Sequence, residues 1–99
     1  MNINNMMNQV KKVQNQMKSD QQNINQQKFT GKSPENLVTV VMTGNHQMQD
    51  DKINPKAIDP KDPDMLSDLI ISATNDATKQ IGQATKNVLG KYTRNIPGM

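Results

Sequence analysis

The chain of 99 residues is predicted to be an α+β protein, with a long helix at each end and a small antiparallel sheet between them. Three observations predict this. Apolar side chains recur with a heptad period from Ile3 to about Lys28. Leu37 to Thr43 is the one clearly β-branched run. From Pro63 to Gly90 the apolar residues return at helical spacing behind an Asp-Pro start. A length of this order holds one domain at most, with little interior.

The first helix is expected over about residues 3–28. Ile3, Val10, Met17 and Ile24 fall at one core position of the heptad, and Met6 and Val13 at the other, which then passes to Asp20 and Gln27. Asn and Gln make up 14 of the first 27 residues, and seven of these are Asn. Each Asn costs roughly a few tenths of a kcal/mol relative to Ala, so this helix needs a partner surface.

A β-meander of two or three strands is expected over about residues 29–54. Phe29 to Lys32 is short and extended, and Ser33-Pro34-Glu35-Asn36 reads as a turn. In the β-branched run, Val38, Val40 and Met42 share one face. Gly44-Asn45 reads as a hairpin connection because both residues tolerate positive φ. The return strand, about His46 to Ile53, is polar, and Asp50 and Asp51 suit a sheet edge.

Pro55, Pro60 and Pro63 mark a linking segment over residues 55–63. Asp62 is placed to cap a second helix over about residues 63–90, with Pro63 at its first position and Asp64 and Asp68 complementing the dipole. Leu66, Leu69, Ile70, Ala73, Ala77 and Ile81 line its apolar side, continued by Ala84 and Val88, and the small alanines admit close packing. Gly90 is the expected stop, with a flexible basic tail over residues 91–99.

Composition makes a lone subunit marginal. Apolar residues are 32% of the chain, with one Phe, one Tyr and no Trp, so an obligate homodimer is expected. The dimer and core positions are Ile3, Met6, Val10, Val13, Met17, Ile24, Val38, Val40, Leu66, Ile70, Ala73, Ala77 and Ile81. No cysteine is present, which excludes disulfides and thiolate chemistry. No apolar run approaches the ~18 residues of a membrane span, and the polar N-terminus is unlike a signal peptide, so a cytoplasmic protein is expected.

Catalytic equipment is absent. His46 is the single histidine and has no Cys or His partner for a metal. Asp59, Asp62, Asp64 and Asp68 cluster at a helix start, where capping explains them, and their spacing does not match a calcium loop. No phosphate-binding glycine loop or nucleophilic serine motif occurs. No enzyme activity, cofactor, metal or small-molecule substrate is expected.

Charge carries the functional signal. Eight of the nine carboxylates lie between Glu35 and Asp76, leaving that block at net −5 (three lysines against eight acids). Residues 1–32 hold five lysines against Asp20 alone, and residues 77–99 hold Lys79, Lys86, Lys91 and Arg94 with no acid. Basic helices flanking an acidic centre suit a polyanion, most commonly nucleic acid. At 100° per residue Lys11 and Lys18 share one direction away from the apolar stripe, with Lys12 on the other flank, and Lys79 and Lys86 share another on the second helix. Lys11, Lys12, Lys18, Lys79, Lys86, Lys91 and Arg94 are therefore the candidate phosphate contacts. A single arginine and few aromatics give little basis for reading base edges or stacking single strands, so double-stranded DNA with low sequence specificity is the expected partner.

In its order of segments the chain resembles the YbaB/EbfC family of nucleoid-associated proteins. The resemblance covers nearly the whole chain. It rests on the first helix around Met7 to Met17, on Thr30-Gly31, Leu37-Val38-Thr39-Val40 and Gly44-Asn45-His46, and on Ile53-Asn54-Pro55, where the family usually shows Ile-Asp-Pro. Its strongest segment is Met65 to Ile70 followed by Ala73 to Ala77, and the Pro-Gly-Met ending also fits. The resemblance implies a three-stranded antiparallel sheet, an intertwined homodimer shaped like tweezers, and DNA binding that affects nucleoid organisation or gene expression. Gln49, Asp50 and Asp51 depart from the basic or apolar residues often found there, so the sheet is set aside as a DNA contact. The rival expectation is a protein-interaction scaffold whose helices dock a protein partner.

Overall fold

The computed structural model describes residues 3–93, with α1 at Ile3–Gln26, β1 at Lys28–Lys32, β2 at Val38–Thr43, β3 at Met48–Ile53 and α2 at Pro63–Thr93. Short 3₁₀ turns occupy Pro34–Asn36 and Pro55–Ala57. Arg94 and the rest of the expected tail lie outside the described residues. No helix among the described residues is long and apolar enough to cross a membrane.

The three strands form one antiparallel sheet in the order β1-β2-β3. β2 is central because its β-branched residues fill both sides of the pleat. Val38, Val40 and Met42 are buried, while Thr39, Val41 and Thr43 between them are half-buried. α2 lies over the buried face, where Ala73, Ala77 and Ile81 meet Phe29, Val38 and Val40. This core is small, and only Ile24 of α1 is fully buried in it.

Two glycines decide how the helices seat. A β-carbon on Gly31 would stand 2.1 Å from the Ala73 carbonyl oxygen, and one on Gly44 would stand 1.9 Å from the Ile24 carbonyl oxygen. The hairpin differs from expectation here. Neither Gly44 nor Asn45 adopts positive φ; His46 does, at 66°. Thr43 N–H donates to Gln47 O at 2.9 Å and His46 N–H to Thr43 O at 2.9 Å, closing a loop of three residues with its last in the left-handed region. Gly44 serves close approach instead.

α2 starts as expected: the Asp62 carboxylate accepts the Met65 N–H at 3.2 Å. It does not stop at Gly90 but runs on to Thr93. A single glycine costs a helix only ~1 kcal/mol, and Val88 and Tyr92 on either side are anchored by packing and a hydrogen bond.

The radius of gyration is 19.7 Å, against ~13 Å for a compact domain of this length, and the molecule measures 72 × 25 × 16 Å. The elongation comes from α1, all of whose residues 3–16 are exposed.

Candidate nucleic-acid interface

The N-terminal part of α1 is apolar on one side and polar elsewhere, with Lys11 and Lys12 its two charges. Ile3, Met6, Val10 and Val13, the heptad stripe that packing within one chain leaves uncovered, are between 46% and 70% exposed, and Met7 beside them is exposed too. Met17 is half-buried and Ile24 buried, so the stripe meets its own chain only at its C-terminal end. On α2, Leu66 and Leu69 pack against the core, while Ile70 is 39% exposed.

Lys11, Lys12 and Lys18 on α1 and Lys79, Lys86 and Lys91 on α2 are all exposed. Lys79 and Lys86 project away from the buried Ala77 and Ile81, as the helical spacing requires. Each seven-residue pair separates its lysines by ~10.5 Å along the axis.

Asp20, the weak point of the heptad stripe, fixes the two helices relative to each other. The Tyr92 hydroxyl donates to its carboxylate across 72 positions of sequence, and the Gln16 amide donates to it at 3.1 Å. The bond from Tyr92 lowers the Asp20 pKa, with smaller help from Gln16 and the Lys91 charge, against a desolvation cost. The same bond raises the Tyr92 pKa to about 12, aided by desolvation and the Asp20 charge. Sequence spacing carried no signal for this latch. With the helices antiparallel and Asp20 opposite Tyr92, the lysines follow one another along the rod as Lys79, Lys86, Lys91, Lys18, Lys12 and Lys11. Measured along the axis the six span ~33 Å, on more than one side of the helices.

Several of the other acids are occupied structurally. Asp59 accepts the Lys61 N–H at 2.9 Å and Asp62 caps α2. Asp76 accepts the Lys32 N–H at 2.9 Å, and the Gln80 amide donates to Thr30 O at 2.8 Å and to Asp76 at 3.3 Å. Asp76 and Gln80 thus satisfy two backbone groups on the outer edge of β1, the Lys32 N–H and the Thr30 carbonyl. No cluster of three His, Cys, Asp or Glu residues able to hold a metal occurs among the described residues.

The model of the YbaB/EbfC DNA-binding family matches residues 1–96. A nucleoid-associated protein of Lactobacillus delbrueckii subsp. bulgaricus is 50% identical over 97% of this chain and 88% of its own length. A nucleoid-associated protein of Ligilactobacillus salivarius is 46% identical over 100% of this chain and 95% of its own. The crystal structure of an uncharacterized protein from Helicobacter pylori shares the fold, with a TM-score of 0.76 and 18% identity over 94% of this chain and 98% of that one.

Proposed function

The chain belongs to the YbaB/EbfC DNA-binding family, and on that premise we propose that it is a nucleoid-associated protein gripping duplex DNA by its phosphates. The observation that carries this reading is that Lys11, Lys12, Lys18, Lys79, Lys86 and Lys91 are all exposed on the two helices. Phosphate contacts by lysine carry no sequence information, so binding is of low specificity. Two chains pair in this reading, burying the apolar side of α1 and doubling the lysines on offer. The site of action is the nucleoid, within the cytoplasm, and the consequence is a change in nucleoid organisation or gene expression.

The test is duplex affinity at two salt concentrations, together with the mass of the free protein by sedimentation. Six or more phosphate contacts give a loss of ~10³-fold or greater between 50 and 200 mM salt. A monomer indifferent to duplex at low salt would refute the reading. The exposed apolar side of α1 also suits a helical protein partner. Capture of such a partner that survives both nuclease and high salt would favour the scaffold instead.

A further inference from the structure

The sheet has a covered face and an open one. α2 covers Phe29, Val38 and Val40. On the other face the strand register sets out three rows: Lys32, Thr39 and Lys52; then Thr30, Val41 and Asp50; then Lys28 and Thr43. Lys28, Lys32 and Lys52 are exposed, and Asp50 is the one carboxylate among them. Asp51, which counted against the strand at the level of sequence, pairs with Val40 and so belongs to the opposite side of the pleat. Asp50 itself turns an oxygen back to accept the Asp51 N–H at 2.9 Å.

We infer that this open face is a second phosphate-binding surface for duplex DNA, formed by Lys28, Lys32 and Lys52. It rests on the DNA-binding reading and adds to it a surface that the helices do not supply. Neighbouring strands are ~4.8 Å apart, so the Lys32 and Lys52 backbones stand ~10 Å apart across β2, while Lys28 and Lys32 stand ~13 Å apart along β1. These spans match the ~12 Å width of the major groove, which lets the flexible lysine stems reach phosphates on both sides of it. The hydroxyls of Thr30 and Thr39 lie among the lysines and suit the same oxygens. A protein partner fits this face poorly. The centres of protein interfaces are depleted of charge, whereas here Val41 is the sole apolar side chain between lysines and threonines.

The experiment compares the full chain with a sheet variant (Lys28→Gln, Lys32→Gln, Lys52→Gln) and a helix variant (Lys11→Gln, Lys12→Gln, Lys18→Gln). Duplex affinity is measured over a salt series, with melting temperature and sedimentation mass as controls. The sheet variant is expected to bind about tenfold or more weakly at low salt, its log–log slope reduced by about 2–3, with melting and mass unchanged. Asp50→Asn, which keeps the oxygen that bonds Asp51, is expected to bind more tightly. An unchanged slope in the sheet variant overturns the inference, as does a changed mass, which would make the face a subunit contact. Failure of the unaltered protein to bind duplex would instead defeat the DNA-binding reading itself.

Discussion

Gly31 of β1 lies against Ala77 of α2 so closely that an added β-carbon would stand 2.8 Å from the alanine's own. The Ala77 nitrogen and the Ala73 carbonyl oxygen are nearer still, at 2.6 and 2.1 Å, and backbone cannot swing aside as a side chain can. Gly31→Ala should therefore cost ~1–3 kcal/mol or more, because it pushes α2 off the sheet. Gly82, on the same helix, has nothing within 4 Å, and Gly82→Ala should stabilise by ~0.5–1 kcal/mol. Denaturant melts of the two variants should move in opposite directions. Equal shifts would contradict the seating described.

The latch between α1 and α2 has its own pH window. Asp20 is depressed in the fold, so its contribution is present above the ordinary carboxylate value and disappears as pH falls through the lowered one. Tyr92 is raised, so its contribution is full below the ordinary ~10 and disappears as pH rises toward about 12. Tyr92 is the only tyrosine and there is no tryptophan, so phenolate absorbance reports on it alone. The alkaline midpoint should lie near 12, and Asp20→Asn should bring it back toward ~10. A wild-type midpoint already at the ordinary value would mean that the latch is open in solution.

The uncovered stripe of α1 makes association testable by single changes. Val10→Asp places a carboxylate in the middle of Ile3, Met6 and Val13, where burial of an unpaired charge costs several kcal/mol. Sedimentation should then show the 11.1 kDa subunit in place of a pair, with the helical content reduced as α1 loses its support. A pair that persists unchanged would place the interface away from this stripe.

The helix lysines should act through charge alone. Replacing Lys11, Lys12 and Lys18 by Gln removes up to three phosphate contacts per chain and should flatten the salt slope by about 0.9 for each one lost. The three are exposed, so melting should not change. Equal affinity across a gel-shift series would take α1 out of the DNA contact.

Periodicity made the architecture readable where local pattern and tertiary packing agree. The β-branched run became β2 and the Asp62-Pro63 start became the head of α2, because each needs only neighbours in sequence. The ends of elements were harder to read. Gly90 resembles a stop, yet the hydrogen bond from Tyr92 to Asp20 carries the helix past it, and that bond joins positions far apart in sequence. The role of Gly44 was likewise hidden, since the approach of Ile24 is a tertiary fact, whereas turn chemistry is local. That the helix lysines face outward was legible from helical spacing. The side of the pleat that Asp51 occupies was not, because it follows from strand register.

The attachment of α1 has a mechanical consequence. The helix is held where Ile24 meets Gly44 and again where Asp20 accepts the Tyr92 hydroxyl, and Ile3 stands ~26 Å beyond Asp20 along the axis. A rod clamped at one end is a lever: a tilt of about 10° at the clamp sweeps the tip through ~4–5 Å over that length. Such a tilt would carry Lys11 and Lys12 with it and leave the core beneath still.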